Sequence, residues 1–451
     1  MKLILDQFIL KTNKLDKILI TLVFFFPIFL TISIFAADFS ASVVALIILI
    51  LILKKENILI FNEVKKEIYF FSTFYLFLLI SLIFSMSFKE SFLPSFFYFR
   101  FFLFALGIFY LVKKYDFFQK ILLYSICFTF MVVLFDSIFQ FFFQKNIFGY
   151  PIKPYGGKYI LTSFFNDEKK LGSYLIRLLP FLISLLYYYN FKRVHYLYFA
   201  LTGISIFYTS ERVALFLFII LAIFYFLVIK KKIQFILLGF LILSSLLTFN
   251  KEFRYQYFDH TLMQLGLIET KWNKSYNNII RYYSKEHEDF SYTALKIFQK
   301  NILTGSGIKT FYLACNKLKV DKNNKLNKEK LSKEKKSNKE KQFITLNRNN
   351  DLKCSTHPHN IYLQILSDTG VFAFICVFLF FAYIIKKNIN ILQKKNKNNL
   401  DLCFYFLNVG ILLNLFPLIP SGNFYNNWLS LILFYPFGLW LYINQKTKID
   451  G

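Results

Sequence analysis

The chain has 451 residues, with 54 Lys and Arg against 26 Asp and Glu, so its formal charge is +28; 56% of residues are hydrophobic and 18% charged. Soluble domains carry roughly 25% charge, and no soluble core has room for 62 Phe and 30 Tyr. An ordinary cytosolic enzyme, a disordered protein and a disulfide-rich secreted module are excluded, which leaves a polytopic membrane protein.

Lys, Asn, Ile, Phe and Tyr all have A/T-rich codons, so genome composition explains part of the total charge. The positions of the charges carry more information. A spanning helix needs about 20 mostly apolar residues. In chain order the apolar runs are Ile18–Ala36, Ser40–Leu53, Ile68–Met86, Phe92–Val112, Phe117–Phe143, Leu171–Tyr189, Tyr196–Tyr208, Val213–Ile229, Ile233–Phe249, Ile361–Ile385, Leu400–Ile419 and Trp428–Ile443. No strand-like alternation competes over these lengths. The expectation is an all-α polytopic fold of about 12 transmembrane helices. The first run reads as a retained span and not as a cleaved signal peptide.

Lys and Arg in short loops set the orientation. With the N-terminus inside, the inside turns carry Lys54, Lys55, Lys65 and Lys66, then Lys113 and Lys114, Lys192 and Arg193, Lys230–Lys232, Lys394 and Lys395, and Lys446. The outside turn 420–427 has no charge, although the outside segment Gln144–Lys170 carries five Lys. Both termini are expected inside. Residues 1–249 then hold nine spans and a smaller outside loop at 144–170, residues 250–360 form a large outside loop, and residues 361–451 hold the last three spans. The large loop has 22 basic and 11 acidic residues, a net +11 that favours anionic substrates. Its segment Asn316–Asp351 is Lys/Asn/Glu-rich and is expected to be a flexible insert. Cys315 and Cys354 bracket it on the oxidising side, where a disulfide would tie off its base; free thiols, or a metal pair with nearby His, are the alternatives. Within the spans, Asp136 and Arg100 are expected to form a buried pair.

No P-loop, dinucleotide fingerprint or Cys-x-x-Cys pair occurs, so chemistry must come from polar groups at the outer face. Tyr208-Thr209-Ser210-Glu211-Arg212 ends one span and opens the next. Its Arg either snorkels to the interface or binds an anion through its guanidinium fork. Thr356-His357-Pro358-His359-Asn360 closes the long loop. Asn360 suits an N-cap, and a neutral imidazole at a helix N-terminus suits a general base; with Cys354 the two His are a weak metal set. Phe164–Leu175 and the turn Gly305-Ser306-Gly307-Ile308-Lys309 complete the polar features, the latter reading as a structural turn.

The Ser-Glu-Arg turn, the Gly-x-Gly-x-x-x-Phe turn, and His-Pro-His-Asn-Ile-Tyr-Leu followed by Asp368-Thr369-Gly370 together resemble the O-antigen ligase/O-antigen polymerase superfamily of the bacterial envelope. The resemblance runs from about Phe164 to Val371 in motifs and over the whole chain in topology. It implies an inner-membrane enzyme that moves a glycan from undecaprenyl diphosphate to lipid A–core at the periplasmic face, with inversion and without cofactor or metal. Joining repeat units on the same carrier, as a polymerase does, is the alternative within the family, and a transporter is the alternative from another class. The implied partners are the lipid-linked donor, the lipid A–core or growing-glycan acceptor and membrane lipids, not nucleic acid. Carried over, Arg212 would hold the diphosphate and His359 would act on the acceptor hydroxyl. The second arginine is Arg281, with Arg254 as its rival. His357, His287, Asn360 and Glu211 would support substrate binding.

Overall fold

The computed structural model describes residues 2–155, 158–166, 168–191, 193–228, 254–268, 281, 283–333 and 351–449. The helices are α1 Lys2–Lys11, α2 Lys14–Ile32, α3 Ile34–Leu53, α4 Ile58–Asn62, α5 Lys65–Ile83, α6 Phe88–Phe96, α7 Phe99–Lys114, α8 Phe118–Phe143, α9 Leu171–Tyr188, α10 Val194–Tyr208, α11 Arg212–Val228, α12 His260–Gln264, α13 Lys285–Lys300, α14 Phe311–Lys333, α15 Ile361–Gln393, α16 Asn399–Asn414 and α17 Asn427–Ile449. The strands β1 (Lys153–Tyr155) and β2 (Lys158–Ile160) pair antiparallel, Pro154 opposite Tyr159, inside the smaller loop.

Among the described residues, seven helices are long and apolar enough to cross a membrane, α6 and α7 counting together as one, and α10, α11 and α16 are apolar but shorter. The expected span Ile233–Phe249 and the Lys230–Lys232 turn lie outside the described residues, as do Asp167 and Lys192. Two boundaries differ from the hydropathy reading. Ser33 divides the first two spans earlier than expected, because its extended backbone and its Oγ, accepting from the Ala36 N–H at 3.2 Å, cap α3. The expected run Phe92–Val112 is split at Phe97–Tyr98 into α6 and α7. Apolarity alone does not report such breaks.

α9 packs on α16, and α7 packs on both α3 and α17. In lipid, helices associate by close packing and not by hydrophobic burial, and here aromatic rings supply much of it. Phe71 stacks on Phe102 at 4.2 Å, and Phe26 meets Phe104 at 4.6 Å and Tyr435 at 4.9 Å. At one end of the bundle the buried Asp16 accepts from Lys114 Nζ (2.7 Å) and from the hydroxyls of Tyr110 (3.2 Å) and Tyr115 (2.6 Å). A buried carboxylate needs such company, and this cluster ties α2 to the end of α7.

The expected Arg100–Asp136 pair is not formed. Arg100 Nη2 bonds Asp38 at 2.9 Å, while Asp136 accepts from the Ile147 N–H (2.8 Å) and Ser163 Oγ (2.5 Å) and thereby holds the smaller loop. The insert also differs from expectation in its first half: residues 316–333 continue α14. The stretch contains no Gly or Pro, and Lys, Leu and Glu are good helix formers, so polarity did not preclude a helix. Residues 334–350 lie outside the described residues.

The long loop has a small core of its own, Ala294, Ile297, Phe311, Ala314 and Leu318, closed by the Cys315–Cys354 disulfide with a Cα–Cα distance of 5.5 Å. It is fastened to the bundle at a break in α15. Gly370 leaves the helical conformation (φ 82°, ψ −175°), which frees main-chain groups inside the bundle. The Ser306 N–H donates to Ser367 O (2.8 Å), Gly307 N–H to Asp368 O (2.9 Å), and Val371 N–H to Ile302 O (2.9 Å). Gly305 is required there, since a Cβ would lie 2.3 Å from the Asp368 carbonyl carbon. The two glycine motifs are thus one structural unit.

Candidate active site

The turn between α10 and α11 is built from its own polar residues. Ser210 takes a left-handed φ of 57°. Glu211 then folds back, and its carboxylate accepts from the Gly172 N–H (2.9 Å) and the Ser173 N–H (3.1 Å) at the start of α9. Gly172 permits this approach, because a Cβ would sit 2.9 Å from Ala214 Cβ and from Thr209 Oγ1. Burial raises the Glu211 pKa, and those two N–H bonds oppose the rise. The Glu211 carboxylate is therefore committed to the end of α9, and the next residue, Arg212, is left on the wall of a cavity of about 670 Å3.

Four basic side chains line that cavity: Lys169, Lys170, Arg177 and Arg212. The only carboxylate among its described lining residues is Glu211. Arg212 Nη1 lies 3.4 Å from Thr261 Oγ1. Arg177 projects from within α9, 4% exposed; its Nε donates to Ser173 Oγ (3.1 Å) and its Nη1 to Asn414 Oδ1 (2.9 Å). Burial lowers the Lys169 and Lys170 pKa values, and at Lys169 neighbouring Glu211 opposes the effect. A cavity with this charge balance is suited to a polyanion.

Two further lining residues, Tyr283 and Ser421, back onto a cluster of three imidazoles. The rings of His357 and His359 are 4.1 Å apart, those of His287 and His359 5.7 Å, and Tyr283 packs on His287 at 4.8 Å. The Ser421 N–H donates to His359 O at 2.8 Å, and Ser421 O lies 3.3 Å from His357 Nε2. His359 has a left-handed φ of 57°, a strain that clusters at functional sites. Its Nε2 is 3.2 Å from Ser355 Oγ. Asn360 caps α15, accepting from the N–H groups of Tyr362 and Leu363 at 3.1 Å each, and its Nδ2 donates to Pro417 O at 2.7 Å.

Burial holds all three imidazoles neutral. It lowers His287 to about 4, assisted by His359 and by the cations Arg212 and Lys353, and opposed by Glu286. His357 is lowered to about 4 by burial and by His359, against the pull of the Ser421 carbonyl. His359 is lowered by burial, with Glu286 opposing. Among the described residues no three His, Cys, Asp or Glu side chains converge as a metal set, and Cys354 is bonded to Cys315.

The structure therefore brings Arg212 to the cavity and gathers His287, His357 and His359 behind its wall. It does not bring the two candidates for the second arginine there. Arg281 is buried and pairs with Glu288 at 3.0 Å, and Arg254 is largely exposed, 4.0 Å from Asp259. Neither is among the described residues that line the cavity. The second arginine on its wall is Arg177, which sequence reasoning missed by treating Leu171–Tyr189 as a plain span. An arginine in a span with no acid beside it is itself a signal.

Fold and site together define a multi-pass helical membrane protein with a cationic cavity and an imidazole cluster at one end of the bundle. Residues 197–378 match the family model described as O-antigen ligase, and the chain is O-antigen ligase-like over that stretch. The match contains Arg212, His287, His357 and His359, whereas Lys169, Lys170, Arg177 and Ser421 lie outside it. No curated protein matches the chain.

Proposed function

We propose that the protein is an inverting glycosyltransferase of the O-antigen ligase type. It moves a glycan from a polyprenyl diphosphate, of which undecaprenyl diphosphate is the family's form, to a hydroxyl of lipid A–core at the periplasmic face of the inner membrane. The observation that carries this reading is the convergence of Arg212, Arg177, Lys169 and Lys170 on one cavity whose wall residues, Tyr283 and Ser421, touch the imidazole cluster.

The chemistry follows from charge. The bond between the anomeric carbon and the diphosphate oxygen breaks, the electron pair leaves with the diphosphate, and an acceptor oxygen bonds the anomeric carbon from the opposite side. Negative charge on the leaving oxygens grows as the bond stretches, so fixed cations at that position lower the barrier. Arg212 offers a planar fork matched to two phosphate oxygens. Arg177 is locked by Ser173 and Asn414 and adds a charge that needs no reorganisation. His359, neutral and held against Ser421, accepts the proton of the acceptor hydroxyl.

Deletion of the gene tests the reading. A ligase leaves polymerised glycan accumulated on the carrier at the outer face, a polymerase leaves single units there, and loss of a transporter leaves the glycan inside. Transfer from a purified lipid-linked donor to a lipid acceptor by the isolated protein completes the test, and its absence under all acceptor conditions would remove the proposal.

A further inference from the structure

We propose that a second cavity, beside the first, binds the phosphate of a membrane lipid and part of its acyl chain. This cavity has a volume of about 590 Å3 and lies between α3, the α6–α7 break and the start of α17. Asn427 lines it, while Asn426 and Trp428 line the candidate active-site cavity. The two are therefore separated by one turn of chain and open at the same end of the bundle.

Its polar end holds Arg100 and Lys309 against one carboxylate, Asp38. That carboxylate is already satisfied, by Arg100 Nη2 at 2.9 Å and by Asn427 Nδ2 at 3.1 Å. Arg100 is not: its Nη1 donates to Phe97 O at 3.2 Å and its Nη2 to Asp38, which leaves one N–H on each of these nitrogens without a hydrogen bond to the described residues. A phosphate oxygen is the kind of acceptor that suits them.

Lys309 adds an independent observation. It sits in the Gly-x-Gly turn with a left-handed φ of 64°, a conformation unfavourable for lysine. Its surroundings enforce that conformation. Ser306 and Gly307 are bonded into the α15 break, and Ser91 Oγ donates to the adjacent Ile308 O at 2.8 Å. The Lys309 side chain is exposed, lines the cavity, and forms no ion pair with the described residues. Below these two cations the wall turns apolar, through Leu46, Leu49 and Leu93. Two cations above an apolar slot complement a phosphorylated headgroup with an alkyl chain, and neither a free sugar nor a soluble anion would use both halves.

The phosphate can come from a glycerophospholipid or from a phosphorylated glycolipid such as the proposed acceptor, and only that second identity rests on the transfer reading. The full chain in detergent is tested by native mass spectrometry against lipid A carrying its phosphates, dephosphorylated lipid A and phosphatidylglycerol. A phosphate-bearing lipid is expected to bind, with Lys309→Glu and the slot-filling Leu46→Trp each weakening it about tenfold. Preference for phosphorylated lipid A identifies an acceptor site, and preference for phosphatidylglycerol identifies a phospholipid site. Equal binding of phosphorylated and dephosphorylated lipid A without phosphatidylglycerol binding overturns the proposal. So does indifference to either substitution in a variant that retains its wild-type melting profile. Arg212→Ala should leave this binding intact while lowering transfer by about a hundred- to a thousand-fold, so a failure of the transfer reading would be seen separately.

Discussion

The main chains of His359 and Ser421 are joined by a single hydrogen bond, the Ser421 N–H to the His359 carbonyl at 2.8 Å. It fixes the loop before α17 to the residue preceding the Asn360 cap of α15, and so holds a cavity-wall residue against the proposed base. Gln364 makes the joint double: its Nε2 donates to Asn423 Oδ1 at 2.8 Å and its Oε1 accepts from the Phe424 N–H at 2.9 Å. These bonds join the cavity wall to the segment that carries His357 and His359.

Arg212→Ala is expected to lower transfer by about a hundred- to a thousand-fold, the effect typical of removing one charge-stabilising donor. Arg212→Lys keeps the charge but loses the fork, and should also be impaired. Arg177→Gln should fall in the same range. Assays of purified variants with a lipid-linked donor measure this, and near-normal transfer by Arg177→Gln would remove it from the diphosphate site.

His359→Ala is expected to cost about 10²–10⁴-fold. Since burial lowers the His359 pKa below the ordinary imidazole value, the base stays neutral at pH 6.5, and the acid limb of the rate profile should lie below that pH. The same shift bears on stability. The unfolded state takes up the imidazole protons first as pH falls, so stability is full above about 6.5 and declines from there toward about 4, the value for His287 and His357. A pH–rate profile together with melting temperatures between pH 4 and 7 checks both signs.

Reduction of Cys315–Cys354, or Cys315→Ser, should destabilise the loop by about 3–4 kcal/mol in the chain-entropy model for a closed loop of 39 residues. Non-reduced peptide mapping of membranes checks the bond, and two alkylatable thiols there would contradict it.

Gly305→Ala is expected to be severe, because its Cβ would collide with main-chain atoms of Asp368 and Thr369 at 2.3–2.4 Å, neither of which can rotate away. Gly149→Ala is the control: it also has a positive φ but nothing lies within 4 Å, so only the conformational cost of about 1–3 kcal/mol remains. Detergent-extracted yield and melting temperature separate the two.

Orientation is checked by fusions. A reporter near Lys395 is expected to read cytoplasmic and one at Asn323 periplasmic; a cytoplasmic reading at Asn323 would place the cationic cavity on the wrong side for the proposed donor.

Much of this was legible in the residues. Helix-scale apolar runs give nearly every bundle helix, and Asn360 reads as a cap because an Asn directly before an apolar run suits the N-cap. What stayed hidden depends on partners distant in sequence. Asp136 looked like a mate for Arg100, yet its neighbours are Ser163 and Ile147, which composition cannot reveal. Arg177 was masked by the hydropathy of α9. Glu211 looked like a ligand for substrate because its motif holds Arg212; that it caps a helix 40 residues earlier in the chain shows only in three dimensions. Polarity around 316–333 suggested disorder, although its residue types favour helix.

The break at Gly370 also bears on biogenesis. Ser306 and Gly307 are synthesised before the carbonyls of Ser367 and Asp368 to which they bond. During translation the loop can therefore meet only its earlier partners, Met86 N–H to Ser306 O and Ser91 Oγ to Ile308 O, until α15 has emerged and inserted. Arg212 is in place early, whereas the imidazole cluster closes only after His357 and His359 have followed, and the joint only once Ser421 has. The site is thus completed late, so a nascent chain halted before His357 should be anchored in the membrane yet inert toward any donor already waiting there.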